Sequence, residues 1–224
     1  QGVEFFATPW DFPSVDFLED LDVPAYKVAS CDLTNTPLLS YIASMGRPTI
    51  ISTGGGTIEA VDRAVKIVQS FNTPLCVMQC TSGYPPQFNE LNLSVIETFR
   101  ERYPQATIGY SGHDSGIAMG LIAYVLGARI IEKHFTLNRA MKGTDHAFSL
   151  EPDGLRKMVR DLKRAKEAIG DGIKRSYESE AAPLKKLSKM IVANQDLAAG
   201  TLLTEEHLDY RSPGHGLPPS DAHL

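Results

Sequence analysis

Two histidines lie at the ends of apolar segments that have the composition of buried strands. His113 ends IGYSGH, residues 108–113, and His134 lies near the end of RIIEKHFT, residues 129–136. A neutral imidazole is a good ligand for borderline divalent metals, so this pair predicts that both histidines hold one metal ion. Glu132 precedes His134 by two residues, and side chains two apart on a strand point to the same face. We therefore expect Glu132 to support a ligand or to hold a metal-bound water.

Polar side chains also end the other strand-like segments. They are Lys27, Ser30, Ser52, Ser82 and Ser111, with Thr8 at the end of the first segment. Hydroxyl groups, backbone N–H groups and one ammonium group together can bind a phosphate without a P-loop. The stretch STGGGT, residues 52–57, lies where a strand should turn into a helix, and its glycines would let the backbone approach an anion. A tight turn followed by a helix cap is the other interpretation of this stretch.

The segments that carry these residues alternate with helical patterns. The candidate strands are VEFFAT (3–8), AYKVAS (25–30), TIISTG (49–54), LCVMQCTS (75–82), IGYSGH (108–113) and RIIEKHFT (129–136). Helical periodicity marks residues 58–71, 92–103, 115–127 and 151–171. Because strands and helices alternate, we expect a parallel sheet, and the nearly continuous apolar strands indicate that both faces are covered.

Two architectures of the α/β class share this pattern, the doubly wound sheet and the (β/α)8 TIM barrel. Barrels collect active-site groups from the C-terminal ends of several strands, whereas a dinucleotide-binding sheet concentrates its signal in one glycine-rich turn. Nearly every candidate strand here ends in polar, reactive residues, so we favour the barrel. Six strand–helix units are visible where a barrel has about eight. We therefore expect two units to be missing upstream of Gln1.

The sequence changes character after the last long helix. Residues 1–176 are expected to form the barrel domain, and residues 177–187 a polar linker. Residues 188–224 carry a short strand, a turn at Ala199–Gly200 and one helical turn after Thr204, which predicts part of a small β-rich module without a core of its own. A long polar loop, residues 139–152, should cover the barrel mouth. There Asp145 could bind sugar hydroxyls or assist proton transfer.

Composition narrows the class of protein. The chain has 224 residues, a formal net charge of -5 and no long basic run, which argues against nucleic-acid binding. No segment is apolar for the roughly 20 residues that a membrane span requires. Three cysteines without framework spacing, Cys31, Cys76 and Cys80, indicate a reducing compartment such as the cytoplasm, and we expect all three to be buried.

Several motifs resemble the sialic acid synthase, or N-acetylneuraminate synthase, family, which includes the legionaminic and pseudaminic acid synthases. These motifs are YKVAS, ISTGGGTIEAV, CTSGYP, GYSGHDSG, EKHFTL and KGTDHAFSLEP. The stretch SKMIVANQDLAAGTLLTEEHL is similar to the start of that family's C-terminal antifreeze-like (SAF) domain. The resemblance extends along nearly the whole chain.

This resemblance implies a transferase that condenses phosphoenolpyruvate with an N-acetylhexosamine, N-acetylmannosamine or a related sugar, to give a nonulosonic acid and phosphate. It implies Mn2+ or Mg2+ at His113 and His134, and catalytic roles for Glu132 and Asp145. The implied phosphoenolpyruvate-binding residues are Thr8, Lys27, Ser30, Ser52, Ser82 and Ser111, while Tyr84 and Asp145 would face the sugar. Arg211 would reach the active site of the partner chain in a domain-swapped homodimer.

Two other functions fit some of the same residues. A metal-dependent barrel hydrolase would also use histidines at strand ends, although such enzymes often have more metal ligands. An inactive, SAF-containing binding fragment would keep the fold without turnover. Metal stoichiometry and product analysis separate the hydrolase from the synthase, and calorimetry with phosphoenolpyruvate identifies binding without turnover.

Overall fold

The computed structural model of the chain describes residues 2–222. The chain divides into two compact units, Gln1–Ile169 and Gly170–Leu224. The strands of the first unit are β1 (Tyr26–Val28), β2 (Thr49–Ser52), β3 (Leu75–Cys80), β4 (Thr107–Gly112) and β5 (Ile130–Lys133). Its helices are α1 (Phe12–Asp20), α2 (Thr36–Ser44), α3 (Ile58–Gln69), α4 (Val95–Arg102), α5 (Ala118–Leu126) and α6 (Pro152–Ala168).

One sheet organises the first unit. Its five strands follow each other in the order β1-β2-β3-β4-β5, all neighbours are parallel, and the sheet curls into a half-barrel. The α/β class and the parallel sheet predicted from the sequence are therefore confirmed. Parallel strands in sequence order, joined by helical crossovers, bring all their C-terminal ends to one edge of the sheet.

The two faces of the sheet carry different sets of apolar residues. The outer face packs on the helices through residues such as Val28, Ile51 and Val77, which belong to the main core cluster. The inner face carries a smaller apolar cluster of Ile50, Cys76 and Met78, against which Ile130 packs. Because side chains alternate along a strand, polar residues that follow this second row also point inward.

Local signals in the sequence define the helix ends. The Asp11 side chain accepts a hydrogen bond from the Ser14 backbone N–H at 2.8 Å and caps α1, whose first residues include a proline. Thr57 caps α3 in the same way. Helix α5 ends at Gly127, whose φ of 113° lies in the left-handed region that glycine adopts without steric strain.

The first predicted strand is wrong as an element. Residues 3–8 form a single parallel bridge, between Ala7 and Tyr26, and the apolar Val3 and Phe5 are exposed. A strand requires a pairing partner along its length, and only Ala7 meets one before the chain passes Pro9 into the cap of α1. The described part of the first unit thus has five strands, and not the six predicted.

The three cysteines also differ from each other. Cys76 and Cys80 lie in β3 and are buried, as expected. Cys31 is exposed, contrary to the prediction, because it lies in the one-turn 3-10 helix Ser30–Asp32 that follows β1 on the surface. Burial raises the pKa of the Cys76 thiol to about 12.

The second unit contains helix α7 (Ala181–Leu187) and a two-stranded antiparallel sheet of β6 (Met190–Ala193) and β7 (Leu208–Arg211). A turn lies at residues 199–200 and a one-turn 3-10 helix, Glu205–His207, follows Thr204. No residue between 170 and 222 is fully buried, so this segment has no closed core in the described structure. Throughout residues 2–222, every helix is too short or too polar to cross a membrane.

Candidate functional site

A buried ammonium group lies at the centre of the inner face. Lys27 Nζ donates a hydrogen bond to Ser52 Oγ at 2.7 Å and lies 3.5 Å from Glu132 Oε2. Ser111 Oγ donates to Glu132 Oε1 at 2.7 Å, which follows from the pairing of Ser111 with Glu132 in the β4–β5 register. Four of the predicted site residues, from four different strands, are therefore in one connected network.

A second network extends over the turn after β2. Ser30 Oγ accepts a hydrogen bond from the Gly54 backbone N–H at 2.9 Å and lies 3.6 Å from the Cys80 thiol. Ser82 Oγ is 3.9 Å from the same sulfur. A Cβ on Gly54 would stand 2.0 Å from Ser82 Oγ and 2.9 Å from Ser30 Oγ, so only glycine leaves room for both hydroxyls here. The turn therefore presents two serine hydroxyls and a backbone N–H group side by side.

The two predicted metal ligands face each other. His113 is the first residue after β4 and His134 the first after β5, and their ring centroids are 5.1 Å apart with an interplanar angle of 70°. His113 Nδ1 lies 3.0 Å from the Thr81 carbonyl oxygen. Since a carbonyl only accepts, Nδ1 carries the proton, and Nε2 keeps the lone pair that a metal would use. His134 Nδ1 lies 3.5 Å from Asp145 Oδ2, so this ring nitrogen also has an oxygen of the protein nearby.

The donor set of this pair fits one divalent metal ion. Two imidazoles at equivalent strand ends, each with its Nδ1 directed to an oxygen of the protein, leave both Nε2 atoms for coordination. Within residues 2–222, no group of three or more His, Cys, Asp or Glu side chains is arranged to hold a metal ion. Among the described residues, these two imidazoles are therefore the candidate protein ligands for a metal ion at this position.

Aromatic rings enclose the histidine pair. The Tyr84 ring lies 4.3 Å from the His113 ring and 6.0 Å from the His134 ring, centroid to centroid, and it is 54% exposed. Phe148, which is buried, packs 5.0 Å from the His134 ring. The loop after β5 therefore returns over the strand ends and brings Asp145 and Phe148 against His134.

Burial and neighbouring groups change the pKa values at this site. Burial lowers the pKa of His134, and the nearby His113 lowers it further, which favours the neutral, ligating imidazole. For His113 burial acts in the same direction, but its contacts with Cys80 and with the Thr81 carbonyl outweigh burial and raise its pKa. Burial raises the pKa of Cys80, while His113 and Ser30 act more strongly together and leave it lowered.

Two predicted residues are not part of these networks. Thr8 is half-buried and directly follows Ala7, whose carbonyl accepts the Lys27 backbone N–H at 3.1 Å, so Thr8 lies beside the start of the sheet. Arg211 belongs to the second unit, where its side chain is 73% exposed and pairs with Asp209 at 2.7 Å.

Sequence reasoning missed several residues around the site. Cys80 was expected only as a buried small residue, yet its sulfur is 4.0 Å from His113 Nδ1 and also contacts two serines. Phe148 gave no signal because one aromatic residue in a polar loop is common. Lys133 and Asp114 form a buried ion pair behind the histidines. Strand alternation could have indicated that both side chains point outward, because each adjoins an inward-facing histidine, but it does not indicate that they pair.

Both the sequence and the fold are similar to those of known proteins. The NeuB family model matches residues 1–174. The chain belongs to the NeuB family. This NeuB chain is 39% identical over 221 residues to N-acetylneuraminate-9-phosphate synthase of Homo sapiens, a match that covers 98% of the chain and 62% of the human protein. It is 34% identical to N,N'-diacetyllegionaminic acid synthase of Campylobacter jejuni, with coverages of 96% and 65%.

A solved structure has the same fold. The N-acetylneuraminic acid synthetase of Leptospira borgpetersenii, crystallised with citrate, superimposes with a TM-score of 0.75 at 37% identity, covering 82% of this chain and 64% of that one. The NeuB chain therefore spans a little less than two thirds of the human and Leptospira proteins it matches. The resemblance seen in the sequence motifs is confirmed.

Proposed function

We propose that the protein condenses phosphoenolpyruvate with an N-acetylhexosamine to give a nonulosonic acid and inorganic phosphate. One observation carries this proposal: His113 and His134 face each other beside the Lys27 network at the C-terminal edge of a half-barrel. At this edge the Lys27 ammonium group, which would bind an anion, lies beside the histidine pair, which would bind a metal ion. Relatives named as N-acetylneuraminate-9-phosphate and legionaminic acid synthases support the synthase over a barrel hydrolase or an inactive binding fragment.

The serine and lysine side chains suit phosphoenolpyruvate, which carries a phosphate and a carboxylate. Lys27 supplies a buried positive charge, and a charge-assisted hydrogen bond is stronger away from water. The hydroxyls of Ser30 and Ser82, next to the Gly54 N–H, would donate hydrogen bonds to the remaining oxygens. The residues that we assign to phosphoenolpyruvate are Thr8, Lys27, Ser30, Ser52, Ser82 and Ser111.

We assign His113 and His134 as ligands of Mn2+ or Mg2+. When bound there, a divalent metal would supply Lewis-acid polarisation of the sugar aldehyde. The chain's own residues prepare the pair, because the Thr81 carbonyl and the Asp145 carboxylate orient the imidazoles. Tyr84, half-exposed above the His113 ring, and Asp145 are the residues that we assign to the sugar.

The carbon–carbon bond forms when C3 of phosphoenolpyruvate attacks the sugar aldehyde carbon, and the aldehyde oxygen takes up a proton to become a hydroxyl. Water then adds at C2, and the tetrahedral carbon expels phosphate to leave the 2-keto acid. Glu132 accepts a hydrogen bond from Ser111 and lies 3.5 Å from Lys27. From that position its carboxylate would take the proton of the attacking water. Asp145 would assist proton transfer at the sugar.

The whole protein would extend beyond the described fold. We propose that residues 1–176 belong to a (β/α)8 barrel, that residues 177–187 form a linker, and that residues 188–224 begin an SAF domain. The antiparallel β6–β7 pair and the exposed Arg211 support the last assignment. In this proposal Arg211 reaches the active site of the partner chain in a domain-swapped homodimer. Three free cysteines and a phosphoenolpyruvate substrate support a cytoplasmic location.

The test is phosphate release from phosphoenolpyruvate with a panel of amino sugars, with and without added Mn2+, using the complete protein. His113→Ala should abolish activity, and mass spectrometry should identify a nonulosonic acid as the wild-type product. His207→Ala is the control, because that ring lies in the second unit against Thr204. An active His113→Ala protein in the presence of a chelator, or a hydrolysed sugar as the product, would contradict the proposal.

A further inference from the structure

Lys133 lies between Glu132 and His134 but points the opposite way. Glu132 is in the inward network and the His134 ring faces the His113 ring, so alternation turns Lys133 to the outer, helix-covered face. Its side chain is 3% exposed, which is unusual for a lysine. Nothing in the proposed chemistry uses this ammonium group.

Asp114 directly follows His113 and likewise points away from the neighbouring histidine ring. Its side chain is 2% exposed, and its Oδ1 lies 3.1 Å from Lys133 Nζ. Tyr110 OH donates to the same oxygen at 2.8 Å, and Lys133 Nζ also donates to the Asp114 backbone carbonyl. Among the described residues, Asp114 Oδ2 is buried with no hydrogen-bond partner. Lys133 Nζ therefore contacts both the backbone carbonyl and the side-chain carboxylate of Asp114, the residue after His113.

Gly112, in β4, leaves the space that the contact between Lys133 and Asp114 requires. Gly112 pairs with Lys133 in the β4–β5 register. A Cβ on Gly112 would stand 2.6 Å from the Tyr110 ring carbon Cε1 and 2.7 Å from Asp114 Oδ1. Glycine at this position lets the tyrosine ring and the aspartate carboxylate approach each other, so the network depends on the strand as well as on the charged side chains.

A buried ion pair is a poor way to stabilise a fold, because desolvation of both charges offsets most of their attraction. Its best-attested use is to fix one register or one arrangement among alternatives. Here the two charges adjoin the two histidines, one residue after His113 and one residue before His134. Fixing Lys133 against Asp114 fixes the neighbouring imidazoles relative to each other.

We propose that the Lys133–Asp114 pair, with Tyr110, is a positioning device that holds the His113 and His134 rings in their edge-to-face arrangement. The effect on metal binding rests on the proposed function, in which the histidines are metal ligands. The arrangement of the two rings is a property of the protein alone. Lys133 and Asp114 are buried against each other on the outer face of the sheet, and act through the backbone that carries the histidines.

Three variants of the complete protein test the proposal. Lys133→Met and Gly112→Ala each disturb the pair. The double variant Lys133→Met/Asp114→Leu removes both charges, so it leaves no lone buried charge and should fold, losing only the stability that the Tyr110 hydroxyl's hydrogen bond contributes. If the pair merely stabilised the fold, this double variant would bind Mn2+ like the wild type. We expect its Mn2+ dissociation constant, measured by calorimetry, to rise roughly 10- to 100-fold, as when other groups that orient metal ligands are lost.

A second measurement separates this proposal from the proposed function. In metal-free protein labelled at histidine, we expect a nuclear Overhauser contact between the two imidazoles, and its loss in the double variant. Asp62→Asn, which breaks the α3–α4 pair with Arg102, is the control for destabilisation and should keep both the contact and the affinity. A folded double variant that retains the ring contact overturns the positioning role. Wild-type protein that shows the contact but binds no Mn2+ overturns the metal assignment alone.

Discussion

Gly54→Ala adds a single methyl group to the turn that presents the two serine hydroxyls. Gly54 has no positive φ that would oppose alanine, so any effect comes from contact and not from backbone strain. The new Cβ would stand 2.0 Å from Ser82 Oγ, 3.0 Å from Ser82 Cβ and 2.9 Å from Ser30 Oγ. Ser82 Oγ must therefore rotate away, while the Gly54 N–H bond to Ser30 is disturbed.

The expected loss follows from the hydrogen bonds that these hydroxyls would make to a phosphate or carboxylate. A hydrogen bond to a charged group contributes about 1.5–3 kcal/mol, so losing one should weaken phosphoenolpyruvate binding roughly 10- to 150-fold. The free energy of unfolding should fall by only about 1 kcal/mol, the lower limit for overpacking, since Ser82 is exposed and can turn toward solvent.

Calorimetric titration with phosphoenolpyruvate and urea unfolding measure these two quantities. Gly154→Ala in α6 is the matched control, because its Cβ would meet only Leu150 at an ordinary 3.4 Å. In Ser82→Gly/Gly54→Ala the contacts with Ser82 are removed and the 2.9 Å contact with Ser30 Oγ remains, so stability should recover in part while affinity stays at the level of Ser82→Gly. A folded Gly54→Ala protein that binds phosphoenolpyruvate within threefold of the wild type would refute the assignment of this turn to the anion.

Two further changes probe the charge network and the fold. Lys27→Met should reduce the affinity for phosphoenolpyruvate more than roughly 100-fold. The change removes the buried cation beside Ser52 and leaves Glu132 without its ion-pair partner. Unchanged affinity, measured by calorimetry, would show that Lys27 is not part of the binding site. Asp62→Asn should lower the free energy of unfolding at pH 7, because the Arg102 guanidinium lowers the pKa of Asp62 to about 2 and Tyr103 donates to the same carboxyl. A depressed pKa stabilises the fold above the unfolded-state pKa, so the difference from wild type in urea unfolding should shrink as the pH falls from about 4 toward 2, and a pH-independent difference would contradict this reasoning.

The sequence predicted the elements whose signal is local. Runs such as TIIS are rich in β-branched residues and bounded by turn residues, and each predicted run after the first became a strand. VEFFAT has the same composition but forms one bridge, because pairing depends on a neighbour that composition does not describe. Cys31 was misplaced for a related reason, since exposure depends on where the chain turns after β1.

The candidate site was predictable in its residue types and less so in its contacts. Histidines and serines at strand ends point to one rim by topology alone, and they lie there. The Lys133–Asp114 pair was missed because two charges 19 positions apart in sequence become partners only through the β4–β5 register. Three ionisable residues can follow each other at the end of β5 because side chains alternate in direction. Glu132 and His134 point to the inner face of the sheet, and Lys133 points to the outer face, where it pairs with the buried Asp114.

Cys31 gives the protein an attachment point for a spectroscopic probe. The other two cysteines are buried, so a maleimide dye should react at one position without any engineering. Partial desolvation of the sulfur and the neighbouring Asp32 raise the pKa of the Cys31 thiol, so labelling is faster in mildly alkaline buffer. Since Ser30 is the adjacent residue, a fluorophore there would sense ligand arrival at the hydroxyl-lined turn in real time.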